Sequence, residues 1–174
     1  MLALSDQLNE ICLAVVWGQL RSQNSTGSND HYSFVLQDEI VRVIREKDQE
    51  NAFNAHQSGG RIINFNNENI LLSIGDYRKR FLAQRNDKVF GKIISINKLS
   101  GEYKIISKGH RNPQGLMLFD NFLLETEHGP NGGDEINQIK EGNNYGYPFA
   151  SYGFPYNLDY EMEKEHNLPF VSPI

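Results

Sequence analysis

Short apolar runs alternate with turns rich in glycine, asparagine and charged residues along most of the chain. Apolar runs bounded by turn residues are typical of strands. They predict strands at Ile11–Gln19, Tyr32–Leu36, Ile40–Arg45, Arg61–Phe65, Ile70–Gly75, Gly91–Asn97, Tyr103–Ser107 and Glu135–Ile139. A partial helical spacing of apolar residues between Leu2 and Val15 leaves a helix open as an alternative for the first strand. The series as a whole predicts an all-β fold and fits a β-propeller.

The most informative stretch is a predicted hairpin with a polar loop on either side. The apolar runs Gly115–Phe119 and Phe122–Glu125 flank the pair Asp120-Asn121, which is a hairpin signature. The loops Gly109–Gln114 and Glu127–Glu135 contain histidine, arginine, carboxylates and several glycines. Loops that end strands at a sheet edge commonly hold the polar groups that bind ligands, so we predict a binding site here.

Composition and charge exclude several classes of protein. The chain has 174 residues, a formal net charge of −5 and a pI near 5.5, which argues against a nucleic-acid partner. Its apolar runs are all shorter than the roughly 20 residues needed to span a bilayer. Cys12 is the single cysteine, so an intrachain disulfide is excluded. Asp6 and Glu10 lie where a signal peptide has a basic start and an unbroken apolar core.

Four motifs carry a family resemblance. They are HQSGGRI at His56–Ile62, GHRNPQGL from Gly109, TEHGPNGGDEIN from Thr126, and NNYGYP ending at Pro148. In this order and spacing they resemble the soluble quinoprotein sugar dehydrogenases of the glucose/sorbosone dehydrogenase family. That family is built on a six-bladed β-propeller and uses pyrroloquinoline quinone (PQQ) with calcium. The resemblance extends from about Phe53 to Pro148.

The resemblance implies a single partial propeller domain over residues 1–174. A four-stranded blade takes roughly 40 to 50 residues, so the chain holds about three to four blades and cannot close a six-bladed ring. We therefore interpret the chain as a piece of a longer enzyme, of a family whose members are usually periplasmic or secreted. A partial ring has exposed sheet edges, which favour association, including homo-oligomers.

His56 is the candidate catalytic residue. Without context it would be a turn histidine next to the following strand. An imidazole can take a sugar hydroxyl proton near neutral pH, and HQSGGR resembles the segment that carries the family's catalytic histidine. Ala55 stands where better-known members have an acid that orients the imidazole, which weakens control of the tautomer. On the substrate side, the resemblance suggests Gln57, Asp76 and Gln84.

Arg111, Asn112 and His128 are the candidate cofactor contacts. A fixed cation stabilises negative charge on a quinone oxygen, and GHRNPQGL resembles the segment whose arginine and asparagine lie beside the quinone. His128 stands where some members have glutamine, as in the aldose dehydrogenase-like branch. The alternative is a structural loop in which Arg111 pairs with a carboxylate such as Glu127.

Gly129 and Pro130 are the candidate calcium ligands, because the resemblance places two backbone carbonyls on the metal here and carbonyl oxygens suit Ca²⁺. The family pattern also suggests a second, structural calcium at Glu135 and Tyr145. A solvated acidic loop is the alternative. A zinc site formed by His110 and His128 has no support, since there is no cysteine pair and no regular histidine spacing.

Two functions from different classes are consistent with these features. The leading hypothesis is PQQ- and calcium-dependent oxidation of aldose sugars, with hydride passing from the sugar C1 to the quinone and the proton to His56. The isolated chain is expected to be inactive, because the family's further cations that hold the cofactor lie on later blades. The alternative is a non-catalytic propeller that binds protein or glycan, since propellers carry many functions. The sequence identifies neither the sugar nor the electron acceptor.

Overall fold

The computed structural model describes residues 2–5, 10–23, 31–47, 56–156 and 169–174. Within them the regular elements are ten strands, β1 to β10, and one short 3-10 helix. The chain divides into two compact units, the first made of Met1–Phe53 with Lys98–Gly101 and the second of Asn54–Asn97 with Glu102–Ile174. The single partial domain expected over 1–174 stays a prediction. No helix of the described residues is long and apolar enough to cross a membrane.

The first unit contains one antiparallel sheet in the order β1-β2-β3. Its strands are β1 (Leu2–Ser5), β2 (Glu10–Gln23) and β3 (His31–Lys47). The strand predicted at Ile11–Gln19 therefore lies inside β2, whereas the prediction of two short strands at Tyr32–Leu36 and Ile40–Arg45 is wrong. The pairing passes from Val16–Val41 to Gly18–Leu36, so the polar residues between positions 36 and 41 form an irregularity within one strand. A bulge absorbs extra residues without ending the ladder.

The second unit begins with a four-stranded antiparallel sheet in the order β4-β5-β6-β7. Its strands are β4 (Gly59–Asn64), β5 (Asn69–Ile74), β6 (Lys92–Asn97) and β7 (Tyr103–Lys108). Each overlaps the strand predicted at that place, because the apolar runs are short and asparagine or glycine turns separate them. Between β5 and β6 lies the 3-10 helix, Arg80–Gln84, in a segment without a predicted strand.

The predicted hairpin forms the centre of a three-stranded sheet in the order β10-β9-β8. Its strands are β8 (Pro113–Phe119), β9 (Phe122–Glu127) and β10 (Glu135–Ile139). Phe119 pairs with Phe122 across the turn, and Asp120 has the positive φ of 51° that this tight connection requires. Strand β9 continues two residues beyond its predicted end, which brings Glu127 opposite both Pro113 and Glu135.

Apolar side chains from both sheets of the second unit pack into one cluster. Its buried members are Leu71, Ile93, Ile106, Leu116, Leu123, Ile139 and Tyr145. Burying an aliphatic side chain of this size contributes about 1.5–3 kcal/mol. The cluster therefore joins the hairpin to the four-stranded sheet.

Lys92 is a fully buried cation next to this core. Its ammonium donates to the carbonyl oxygens of Leu82, Ala83 and Phe90 at 3.1, 2.8 and 2.7 Å. An ammonium has three donors, and three carbonyls accept from it here. Lys92 thereby holds the 3-10 helix against β6.

Candidate functional site

A polar cavity of about 520 Å³ lies in the second unit, where the segment before β4 meets the loops on either side of the hairpin. Its lining residues are His56, Gln57, Arg111, Asn112, His128, Gly129, Gly132, Asp134 and Tyr156. The structure thus brings together six residues that the sequence singled out for catalysis or binding, although they are far apart in the chain. Gly132, Asp134 and Tyr156 complete the lining.

Main-chain hydrogen bonds hold the loop before β8 against the four-stranded sheet. The N–H of Asp76 donates to the carbonyl of Arg111 at 2.8 Å, and the N–H of Gly59 donates to Oδ1 of Asn112 at 3.1 Å. Gly75 lets the segment before β4 pack closely against the end of β5, since a Cβ there would lie 1.8 Å from the carbonyl oxygen of Gln57. Arg111 and Asn112 are therefore fixed in place before any ligand binds.

Arg111 is an almost fully buried cation, with 6% of its surface exposed. Its Nη1 donates to the carbonyl oxygens of His128 and Gly129, both at 2.8 Å. Its Nη2 donates to Oε1 of Gln57 at 2.7 Å in the amide orientation that satisfies both ends of that side chain. Arg111 also lies 5.8 Å from the centre of the Tyr156 ring. These contacts hold a fixed positive charge in the wall of the cavity.

Glu127 lies behind Arg111. Its Oε2 accepts from the backbone N–H of Arg111 at 2.6 Å, and its Oε1 lies 3.3 Å from both Nδ1 of His110 and Nδ2 of Asn137. The predicted alternative of a local carboxylate partner for Arg111 is thus present, but Glu127 holds the backbone and not the guanidinium. The guanidinium remains directed to the cavity loop.

Glu125 lies beside Glu127 and is fully buried. Its Oε2 accepts from Asn137 at 3.0 Å and lies 3.9 Å from Nδ1 of His110. Burial and the charge of Glu127 raise the pKa of Glu125 to about 10, so it is protonated at neutral pH. Strand alternation could have revealed this pair, because Leu123, Glu125 and Glu127 point to the same, inward face of β9.

His110 has no part in the cavity wall. It is buried between Ser107 Oγ, 2.8 Å from its Nε2, and the glutamates, and its ring stacks on Tyr145 with centroids 4.9 Å apart. His110, Glu125 and Glu127 offer three possible metal-ligand atoms within 4.8 Å of one another. His110 and Glu127 already bond each other, however, and both glutamates accept from Asn137.

The two histidines of the cavity have opposite surroundings. Nδ1 of His56 lies 2.8 Å from the guanidinium of Arg78, which can only donate. Nδ1 of His128 lies 3.3 Å from Oδ2 of Asp134, which can only accept when ionised, and Oδ1 of Asp134 accepts from the N–H of Gly129. A cation therefore contacts Nδ1 of His56, where a base needs an acceptor to orient its ring.

Asp76 supports the cavity from behind Gln57. It is fully buried, accepts from the N–H of Arg78 at 2.9 Å and accepts from the Gln57 amide at 2.5 Å. Burial raises the pKa of Asp76 to about 6, although hydrogen bonds from Arg78 and Tyr147 and the charge of Arg111 oppose the shift. Asp76 thus reaches the cavity through Gln57.

The remaining predicted residues lie outside the lining. Gln84 bonds Asn144 in both directions, at 2.7 and 3.1 Å, and donates to the carbonyl of Tyr147 at 2.6 Å. The Tyr145 hydroxyl donates to the carbonyl of Gln138 at 2.5 Å. Glu135 is half-buried beside Asn137, and burial together with the charge of Glu127 raises its pKa to about 7. The carbonyl of Pro130 packs against Gly153.

Comparisons with known proteins identify the family of the chain. The family model described as glucose/sorbosone dehydrogenase matches residues 21–174. The aldose sugar dehydrogenase YliI of Escherichia coli is 37% identical over a match 114 residues long, which covers 57% of this chain and 31% of that protein. The quinoprotein glucose dehydrogenase B of Acinetobacter calcoaceticus is 35% identical over a match 125 residues long, which covers 53% of this chain and 26% of that protein.

A crystal structure of the soluble aldose sugar dehydrogenase of E. coli, in its apo form, matches the fold with a TM-score of 0.63 at 26% identity. The match covers 96% of this chain and 53% of that one, so the chain spans about half of the solved relative and a third or less of the curated ones. The predicted fold class, all-β and part of a β-propeller, is confirmed. The chain belongs to the glucose/sorbosone dehydrogenase family.

Proposed function

We propose that this chain forms the cofactor-facing part of a longer oxidoreductase that oxidises aldose sugars with PQQ and calcium. The observation that carries the proposal is the cavity in which Arg111 and Asn112 are held beside His56 and His128. The names of the relatives support the substrate class and, for the A. calcoaceticus protein, a quinone cofactor. Export to the periplasm or beyond remains part of the proposal and rests on the family alone.

The cavity residues fit an anionic quinone. A volume of about 520 Å³ lies within the usual range for small-molecule sites. Arg111 supplies a fixed positive charge, and the bond from Gly59 to Oδ1 orients the Asn112 amide so that Nδ2 can serve as a donor. The Tyr156 ring adds an apolar wall. When bound, PQQ would accept the hydride from C1 of the sugar.

The oxygen chemistry at Gly129 fits calcium. The Gly129 carbonyl already accepts from a cation, the Arg111 guanidinium, and the carboxylate of Asp134 bonds the Gly129 N–H at 3.0 Å. Carbonyl and carboxylate oxygens are the ligands that Ca²⁺ prefers. Gly129 and Pro130 remain the proposed ligands, and Glu135 and Tyr145 the proposed second site.

His56 would hold the hydroxyl proton of the sugar. The imidazole must then present an unprotonated nitrogen to the cavity, while Arg78 donates to Nδ1 and so places the ring proton on Nε2. Before Nε2 can act as the base, the Arg78 guanidinium must leave Nδ1 so that the ring proton can move from Nε2 to Nδ1. Arg111 would stabilise the negative charge that develops on the hydride acceptor.

The test is a titration with PQQ, with and without excess Ca²⁺, followed by the absorbance of the cofactor. It is run on the 174-residue chain and on a version extended to a full ring, which is then assayed for aldose oxidation. We expect calcium-dependent binding and turnover in the ring, and no turnover in the chain alone. Arg111→Met in the ring should abolish binding, whereas Arg61→Met, which removes an exposed charge outside the cavity lining, should not. A ring that binds no PQQ and oxidises no aldose would refute the proposal.

A second candidate is a non-catalytic propeller that binds protein or glycan. One observation favours it: the partner of His56 Nδ1 is the Arg78 guanidinium, where a base would need an acceptor. A full ring that binds oligosaccharides without PQQ and without oxidising them would establish this function instead.

A further inference from the structure

We propose that the Arg111 guanidinium and a divalent cation compete for the Gly129 carbonyl, so that the cation binds weakly until an anion draws Arg111 away. This inference rests on the proposed function, because it takes the Gly129 carbonyl as a calcium ligand. It concerns the order in which the site assembles, and it can be tested without PQQ or sugar.

The Gly129 carbonyl already accepts a hydrogen bond from a positively charged group. A single nitrogen, Nη1 of Arg111, donates to the carbonyl oxygens of His128 and Gly129 at 2.8 Å each. Two adjacent carbonyls directed to one cationic nitrogen form the kind of oxygen pair that also suits a hard metal ion. The guanidinium therefore occupies the place of the cation in this arrangement.

The backbones of both partners are held in place, so only the Arg111 side chain can move. The backbone of Arg111 is held by Glu127 at its N–H and by Asp76 at its carbonyl, at 2.6 and 2.8 Å. The Gly129 N–H is held by Asp134, and a Cβ on Gly129 would lie 2.1 Å from the carbonyl oxygen of Gly133, so this turn is tightly packed. A metal ion would approach a carbonyl whose direction is fixed and whose oxygen already accepts from Arg111.

The local charges oppose a second cation. Calcium binds oxygens at about 2.3–2.6 Å, so an ion on the Gly129 carbonyl would lie close to Nη1 and be repelled by it. Among the nine lining residues, Asp134 is the one carboxylate, and it is exposed and shared with His128 and the Gly129 N–H. Within the lining, this single carboxylate cannot offset the positive charges of both Arg111 and the metal ion.

An anionic ligand would remove the conflict. Its oxygens can accept from Nη1 and Nη2 of Arg111 in place of the carbonyls, since the planar guanidinium matches carboxylate and quinone oxygens. Once Arg111 is released, the Gly129 carbonyl is open to the metal. By linkage the anion and the cation then strengthen each other's binding by the same factor.

The experiment measures Ca²⁺ binding to the 174-residue chain by isothermal titration calorimetry, without cofactor. Arg111→Met, which removes the charge and the donors, should bind Ca²⁺ at least about tenfold more tightly than the wild type. Arg111→Lys, which keeps the charge, should stay within about threefold of the wild type. Arg78→Met is the matched control, because it removes an equal charge beside the same cavity without touching the carbonyls; its affinity should also stay within about threefold.

Several outcomes would overturn the inference. Equal or weaker binding by Arg111→Met would show that the guanidinium does not compete, while leaving the proposed calcium site intact. An equal gain in Arg78→Met would assign the effect to general charge. Absence of binding in every variant would overturn both the inference and the calcium part of the proposed function, with PQQ binding still measurable separately.

A second measurement covers the case in which Arg111→Met fails to fold, as judged by circular dichroism. The ¹⁵Nε–Hε NMR signal of Arg111 in the wild type should shift as Ca²⁺ is added, because the guanidinium leaves the carbonyls. An Arg111 signal that stays unchanged while backbone signals of Gly129 report bound Ca²⁺ would overturn the inference.

Discussion

Oε2 of Glu127 accepts a hydrogen bond from the backbone N–H of Arg111 at 2.6 Å, and so joins the end of β9 to the loop before β8. Glu127→Gln replaces one acceptor oxygen with a donor that must face Arg111, His110 or Asn137. We expect it to lower the free energy of unfolding by about 1–3 kcal/mol, the usual effect of leaving a buried polar group unmatched. Urea denaturation at pH 7 measures this effect.

Glu125→Gln is the matched control for that substitution. Because burial and the charge of Glu127 raise the pKa of Glu125 to about 10, an amide resembles its protonated form at pH 7. The change in unfolding free energy should stay below about 1 kcal/mol. Equal destabilisation by the two substitutions would show that Glu125 is ionised in the folded chain.

Asp76 should make the stability of the chain depend on pH. Burial raises its pKa from 3.8 to about 6, so between these values the folded state binds the proton more tightly than the unfolded state. The contribution of Asp76 to stability is then fully present below about pH 3, and about 3 kcal/mol of it is lost as the pH rises through 6 to about 7. The difference in unfolding free energy between the wild type and Asp76→Asn should follow this fall.

Asp87→Asn provides the comparison for the pH experiment. The hydrogen bond from exposed Arg85 lowers the pKa of Asp87 to about 2, so its titration lies below this range. The difference between the wild type and Asp87→Asn should therefore change little from pH 4 to 7, whereas that for Asp76→Asn changes most in this range. A constant difference for Asp76→Asn as well would contradict the raised pKa.

The two cavity histidines should carry their ring protons on different nitrogens. At a pH where both rings are neutral, donation from Arg78 to Nδ1 predicts the Nε2–H form of His56, and acceptance by Asp134 predicts the Nδ1–H form of His128. Long-range ¹H–¹⁵N NMR distinguishes the two forms. Arg78→Met should remove the preference at His56 and leave His128 unchanged. The same form at both rings would disprove the assignment.

Gln84 is expected to act on stability and not on the choice of sugar. Its amide makes three hydrogen bonds, two with Asn144 and one with the carbonyl of Tyr147. Gln84→Ala should lower the free energy of unfolding by about 1–3 kcal/mol. Gln114→Ala, at an exposed position, should change it by less than about 0.5 kcal/mol. In a full ring, altered sugar selectivity with unchanged stability would restore the substrate role that the sequence suggested.

The local pattern of apolar runs and turn residues was sufficient to predict the strands of the second unit and the hairpin, because each of these elements depends on residues that are close together in the sequence. The motifs also identified most residues of the cavity lining. They could not show that Arg111 contacts the carbonyls of His128 and Gly129, since those atoms are backbone and carry no sequence signal. The continuity of β3 was missed because it depends on a neighbouring strand and not on local sequence. Strand β2 pairs with β3 on both sides of the polar interruption.

The joint between the two sheets of the second unit is formed largely by main-chain atoms. The N–H of Asp76 donates to the carbonyl of Arg111, the N–H of Gly59 donates to Oδ1 of Asn112, and the Ser73 hydroxyl donates to the carbonyl of Pro113. The main-chain groups among these survive substitution as long as the nearby glycines remain, whereas Ser73 and Asn112 must be kept. Recombination between relatives that share these residues, at a crossover between β5 and β8, should therefore preserve the joint, and the other side chains of the cavity lining can diverge without loosening the loop that holds Arg111.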